Sequence, residues 1–264
     1  MRDQYETLKL ERVDENVLVV TLNRPHAGNS TNTQMGLDFL DLWTNLYIDQ
    51  ENIRCIVLTG AGEKIFAAGG DLKERNGMTP EQWKRQHNLF ERARQALQQC
   101  PVPIVAAVNG AARGGGTETA LSCDFVYAAE HATFALTEVK LGIIPGGMGT
   151  QNLPRAVGVR RAKEIVLTGE PFTAQEAHDW GMVNKVCVRE RLMDEALAVA
   201  RTIAGNAPLA VVQAKKSLTM ATQVDMFNGY AFEIEAYNQL VGTQDRYEGV
   251  LAFNEKRKAN FKGR

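Results

Sequence analysis

The sequence predicts an α/β fold: a core of parallel strands alternating with helices, followed by a helical C-terminal part. Three observations predict it. Short β-branched apolar runs recur up to about residue 128, and amphipathic stretches separate them. Glycine-rich turns follow strands and lead into helices at residues 66–74 and 104–124. From about residue 190 nearly every stretch carries helical spacing. This change of character divides the chain into a core, 1–190, and a helical region, 191–264. No Pro/Ser-rich linker, low-complexity stretch or internal repeat is visible between them.

Residues 17–22 (VLVVTL) read as a strand, ended by Asn23-Arg24-Pro25, because proline cannot continue a central ladder. Met35, Phe39, Leu42, Trp43 and Leu46 recur at helical spacing, which predicts a helix over 33–48. Residues 53–59 form the next strand, stopped by Gly60. Trp83, Leu89, Phe90 and Leu97 mark one face of an amphipathic helix over 80–98. Strands follow at 103–108 and 124–128, and a helix at 159–168. Thr173 with Glu176 three positions on is a capping-box pattern, closed by Trp180-Gly181. Residues 183–188 read as a short strand. Helices are expected at 190–205, 208–221, 224–241 and 246–258, with Pro208 suited to a helix start. Apolar Leu209, Val212, Leu218, Phe227 and Tyr230 in this last part fit either subunit packing or an internal core.

Composition narrows the class. The 264 residues are 44% hydrophobic and 23% charged, with a net charge of −1. That charge lacks the basic footprint of a nucleic-acid binder. No apolar run approaches the roughly 20 residues that span a bilayer, so no membrane partner is expected. The first residues are polar and charged, unlike a secretory leader. Cys55, Cys123 and Cys187 read as core thiols, with Cys100 beside Pro101 as the exception. The four cysteines form no CxxC pair or disulfide framework, which suits a reducing, cytoplasmic setting. His26, His87, His131 and His178 are scattered, and no metal site is expected.

The candidate chemistry lies in three stretches. In 104–124 (IVAAVNGAARGGGTETALSCD) a buried strand meets a turn, three glycines and a helix start, with Glu118 close behind. Bare backbone N–H groups at a helix start favour negative charge. In 66–74 (FAAGGDLKE) Ala67, Ala68, Gly69 and Gly70 precede Asp71, a capping residue for a first turn. Two such loops aiming N–H groups at one point would make an oxyanion hole; two unrelated turns are the plainer alternative. In 132–151 Glu138 stands among Phe134, Leu136, Val139 and Leu141, either outward and solvated or part of a pocket beside the turn at 145–149. Two carboxylates in a partly apolar pocket can divide acid and base roles. The glycines do not form GxGxxG, GxxxxGK[ST] or GxSxG, which speaks against Rossmann, P-loop and nucleophile-elbow chemistry.

With these residues on the page, the chain resembles the crotonase family, the enoyl-CoA hydratase/isomerase superfamily. LNRP (22–25), IVLTG (56–60), FAAGGDLKE (66–74), AAVNGAARGGGTE (106–118), CDFVYA (123–128), FALTEVKLGIIPGGMGTQ (134–151), LTGEPFTAQEA (167–177) and EGVLAFNEKRKANFKG (248–263) carry the resemblance in order. It implies a spiral core of repeated ββα units in 1–190 and an α-helical trimerisation region in 191–264, as a homotrimer or a dimer of trimers. It implies acyl-CoA thioester substrates and no cofactor beyond the coenzyme A they carry. The thioester oxygen would be held by the N–H groups of Gly70 and Gly115.

Hydratases of the family carry two glutamates, matched here by Glu118 and Glu138; double-bond isomerases usually keep one. The resemblance therefore implies syn addition of water across the 2,3 double bond of a trans-2-enoyl-CoA. Glu138 would protonate Cα and Glu118 would activate water. An isomerase or specialised lyase, and a CoA-binding protein without turnover, are the alternatives. CoA contacts are implied for Arg24, Ala68, Gly70, Asp71, Leu72, Lys73, Gly115, Phe253 and Lys256. The plainer roles for Phe253 and Lys256 are a core anchor and a solvated helix face. His26, residues 27–31, Gly70, Met148 and Asn152 depart from the common family pattern, which bears on acyl preference and CoA contact.

Overall fold

The computed structural model describes residue 2 and residues 4–264. The chain opens with an antiparallel hairpin, β1 (Leu8–Asp14) and β2 (Val17–Leu22), and helix α1 (Thr33–Ile48). A unit of long strand, short strand and helix then repeats. It runs through β3 (Cys55–Gly60), β4 (Ile65–Ala67), α2 (Leu72–Arg75) and α3 (Pro80–Gln99). Next come β5 (Ile104–Val108), β6 (Ala111–Arg113) and α4 (Gly115–Ser122). The third unit is β7 (Phe125–Ala129), β8 (Thr133–Ala135), α5 (Gly149–Val157) and α6 (Val159–Thr168). β9 (Phe172–Thr173), α7 (Ala174–Asp179), β10 (Lys185–Cys187) and α8 (Leu192–Ala204) follow, and α9 (Pro208–Met220), α10 (Met226–Val241) and α11 (Gln244–Glu255) end the chain.

The long strands make one six-stranded sheet in the order β1-β2-β3-β5-β7-β10, parallel from β2 onward. The short strands make a second sheet in the order β4-β6-β8-β9. Each repeat thus adds one strand to both sheets, which produces the spiral. β3 and β5 are buried along their whole length, as expected of continuous apolar runs covered on both faces. Met35, Phe39, Leu42, Trp43 and Leu46 of α1 face inward, and α3 packs along α1. The Thr79/Gln82 capping box starts α3, and the Thr173/Glu176 box starts α7 as expected.

Three expectations are corrected. Cys100 is not the exposed exception; it closes α3 and is 1% exposed, and burial raises its thiol to about 11. The last helix does not run to 258: α11 ends at Glu255, where Lys256 takes a left-handed conformation. The reading of Leu209, Leu218, Phe227 and Tyr230 as an internal core also fails. Phe227 is 87% exposed and Met226 beside it 83%. The described helix α9 buries no residue and α10 only Ala236. α8 instead packs on β2, β3, β5 and β7. α9 is tethered to the core by Lys215, whose Nζ donates to Asp124 Oδ2 (2.7 Å) and the Val102 carbonyl (3.0 Å).

The unusual run 27–31 has a structural reason. Asn29 is fully buried with φ +54°. Its Oδ1 accepts from the Arg24 N–H (3.0 Å), and its Nδ2 donates to the carbonyls of Ala61 (2.9 Å) and Ile65 (3.0 Å). It therefore ties the loop after β2 to both ends of the β3–β4 connection. Asn29→Ala leaves these backbone groups unpaired and should lower stability by about 3 kcal/mol in urea titration. A loss below about 1 kcal/mol would mean that water replaces the amide at no penalty.

Candidate active site

The site is built where the repeats bring their strand-to-helix turns together. After β6 the chain turns through Gly114, whose φ of +50° and ψ of −121° suit a residue without a Cβ. The Gly114 N–H donates to the Ala135 carbonyl at 2.8 Å. α4 then starts so close to β4 that a Cβ on Gly116 would lie 2.1 Å from the Ala67 carbonyl oxygen. This contact sets the first turn of α4 directly against the 67–71 loop. Across that loop a single bridge pairs Thr31 with Gly70: Thr31 N–H donates to the Gly69 carbonyl (2.7 Å) and Asp71 N–H to the Thr31 carbonyl (2.9 Å). The Gly70 N–H faces the other way. Among the described residues neither it nor the Gly115 N–H has an acceptor. A Cβ on Gly115 would lie 3.8 Å from the Gly70 nitrogen, so the two donors are neighbours. An oxygen between them can accept both.

The two glutamates stand beside these donors in different surroundings. Glu118, on the first turn of α4, is 4% exposed. Its Oε1 accepts from the N–H groups of Gly147 (2.7 Å) and Gly149 (2.9 Å), at the start of α5. These two amides fix the Glu118 carboxyl in place. Glu138 opens a single tight helical turn, Glu138–Leu141, and is 8% exposed. Its Oε2 is buried without a hydrogen-bond partner, and its Oε1 lies 2.9 Å from where a Cβ on Gly114 would be. Burial, then the negative charge of Glu118, pushes the Glu138 carboxyl up to about 7. Glu138 thus keeps a proton near neutral pH.

Ala68, Gly70, Leu72, Gly115, Glu118 and Glu138 line one cleft of about 670 Å³. The solvated reading of Glu138 is overturned, because the chain turns into the protein at residue 138 rather than alternating as a strand. Arg24 and Asp71 stand behind the cleft. They pair at 3.0 Å, while Asp71 also caps α2 through the N–H groups of Lys73 and Glu74. Burial opposes the Asp71 charge, but these amides and Arg24 outweigh it and hold the carboxyl below its usual range. Lys73 is exposed beside the cleft. Phe253 and Lys256 lie outside it. Phe253 is 83% exposed, so it is no core anchor, and Lys256 ends α11 with φ +54°.

The sequence reading missed the α3 side of the cleft. Trp83, His87 and Arg94 line it, as does Arg75, whose guanidinium stacks 4.3 Å over the Trp83 ring. A signal was present for Arg94: it sits four residues after Phe90 and three before Leu97, inside the apolar stripe of α3. Two family departures also gain a location. Met148 takes a left-handed conformation, φ +70°, at the start of α5, where glycine carries no strain. Asn152, one turn on, has a buried Nδ2 without a partner.

The sequence model described as enoyl-CoA hydratase/isomerase matches residues 12–264. The chain belongs to the enoyl-CoA hydratase/isomerase family. It is 44% identical to the Bacillus subtilis family protein YngF over 95% of this chain and 96% of that protein. It is 40% identical to the short-chain-enoyl-CoA hydratase of Clostridium acetobutylicum, over 94% of this chain and 95% of that one. The crystal structure of an enoyl-CoA hydratase from Bacillus anthracis superposes with a TM-score of 0.96 at 42% identity, covering 98% of this chain and all of that one. Membership of the enoyl-CoA hydratase/isomerase family accounts for the repeated ββα units and the C-terminal helices.

Proposed function

We propose that this chain is an enoyl-CoA hydratase that adds water syn across the 2,3 double bond of a trans-2-enoyl-CoA to give a 3-hydroxyacyl-CoA. One observation carries the reading: two buried carboxylates in different surroundings, Glu118 held by two amides and Glu138 without a partner for its Oε2, share a cleft with two neighbouring, unbonded backbone N–H groups. The Gly70 and Gly115 N–H groups donate to the thioester oxygen and stabilise the enolate charge that develops on it. Glu118, ionised, takes a proton from the water that attacks Cβ. Glu138, protonated, gives its proton to Cα. Both residues act from the same cleft, so hydrogen and hydroxyl add to one face. In dehydration the roles reverse.

Coenzyme A enters as part of the substrate, and the reaction calls for no resident cofactor or metal. Its contacts are assigned to the backbone of Ala68, Gly70, Asp71, Leu72 and Gly115, with Lys73 and Arg24 toward the nucleotide. Phe253 and Lys256 reach it from a neighbouring subunit. The exposed apolar residues of α9–α11 support a homotrimer or a dimer of trimers. No helix among the described residues is long and apolar enough to cross a membrane; a cytoplasmic location is part of this proposal.

Purified protein incubated with crotonyl-CoA should bleach the conjugated enoyl thioester absorbance and yield 3-hydroxybutyryl-CoA by mass spectrometry. No product from a panel of short, long and branched enoyl-CoA thioesters would sink the reading. The pH profile of hydration carries its own expectation. Activity needs Glu138 protonated, so kcat/KM falls as pH rises through about 7, the position of the Glu138 carboxyl. A profile still rising above about pH 8 contradicts Glu138 as the acid.

A further inference from the structure

Arg94 stands within the site without a role in the steps above. Its guanidinium is in the cleft wall, between α3 and α4. Nη1 donates to Thr119 Oγ1 at 2.8 Å and Nη2 to the Gly115 carbonyl at 3.2 Å. Its bonds therefore go to the helix that carries the Gly115 donor, not to either carboxylate. Yet a Cβ on Gly147 would lie 2.6 Å from Glu118 Oε2 and 2.9 Å from Arg94 Nε, so charge and carboxylate flank one point. Residue 115 is pinned on its other side by the Gly114 N–H bond to Ala135.

We propose that Arg94 is a positioning residue of the hydration site: it fixes the Gly115 donor through its carbonyl and places a positive charge beside the two glutamates. This role rests on the hydratase reading. A buried guanidinium suits it because its planar fork reaches Thr119 Oγ1 and the Gly115 carbonyl at once. Burial disfavours the Arg94 charge, and Glu118 first, then Cys123 and Glu138, favour it. The other charged or titratable groups lining the cleft are Arg75 and the His87–Glu91 pair, whose Nε2 and Oε1 are 3.1 Å apart. Cys123, packed behind α4, is kept as a thiol by burial. The reference for every variant is the wild-type profile.

The test compares Arg94→Met, which keeps bulk but loses charge and donors, with Arg94→Lys, which keeps charge. Crotonyl-CoA hydration by the full chain is followed across about pH 5 to 9, with acetyl-CoA binding and thermal melting alongside. Arg94→Met should lower kcat by about a hundredfold and leave acetyl-CoA affinity within about threefold. The alkaline limb of its profile should move to higher pH, because loss of a nearby positive charge raises Glu138. Arg94→Lys should keep the limbs in place and restore part of kcat. If Arg94→Met melts before assay, Arg94→Gln replaces it, and Thr119→Val, which removes both the Nη1 acceptor and the hydroxyl's own 2.8 Å bond to the Gly115 carbonyl without removing charge, should lower kcat with the limbs unmoved. Unmoved limbs in a folded charge-free variant overturn the proposal, as does an Arg94→Lys profile shifted like that of Arg94→Met, or Thr119→Val with wild-type kcat. A wild-type protein without hydratase turnover overturns the functional reading itself, which separates the two failures.

Discussion

Glu118→Gln and Glu138→Gln should each lower kcat for crotonyl-CoA hydration by about 10²- to 10⁴-fold, the range of a positioned acid or base. The two losses have different causes. Glutamine at 118 keeps an acceptor for the Gly147 and Gly149 N–H groups but cannot take a proton from water. Glutamine at 138 fills the same space and carries no transferable proton to Cα. KM should change little in both, because neither group is asked to hold the ground-state thioester. Stopped or steady-state rates on crotonyl-CoA decide the matter. If one variant retains near-normal turnover, a single carboxylate suffices and the site is an isomerase-like or specialised lyase site. The double variant should be hardly worse than either single one, since water addition needs both groups at once.

Gly116→Ala should be the most damaging small substitution near the site. Its Cβ would overlap the Ala67 carbonyl oxygen at 2.1 Å, and that oxygen belongs to backbone rather than to a side chain that can rotate away. Either α4 or the 67–71 loop has to move. The expected result is a loss of about 3 kcal/mol in urea or thermal unfolding, at the upper end for an overpacked position. A larger drop in kcat at temperatures where the variant is still folded should accompany it, because the same shift separates the Gly70 and Gly115 donors. Gly115→Ala is the useful contrast. Its Cβ has ordinary contacts of 3.5 Å or more, so the variant should fold with near-normal stability and lose activity by filling the space beside the Gly70 nitrogen. Unfolding of Gly115→Ala at the temperature of Gly116→Ala would contradict this separation of packing from chemistry.

The elements with local causes were legible in the sequence. Strands 17–22 and 104–108, helix 33–48 and the capping box at 173 follow from runs of a few residues. The strand β1 was not recognised: at the sheet edge only part of it is buried, and charged residues alternate along it. The strands β4, β6, β8 and β9 have two or three residues each, too few to establish a period. Helix α5 was hidden by Gly149 and Pro154, whose propensities argue against it.

By itself the sequence determined which glycines and carboxylates are available for chemistry, and the order of the repeats that carry them. Only the tertiary structure decided what surrounds each of them. Glu118 and Glu138 are the same residue type, yet two amide donors reach one, while Oε2 of the other has no partner. Arg94 belongs to the site because α3 lies against α4, a contact between segments that no local spacing encodes. Phe227 and Phe253 could have been core residues by composition, and the fold leaves both on the surface. The physical reason is common to all three: protonation, field and exposure depend on neighbours brought together across the chain, whereas helix and strand depend on neighbours along it.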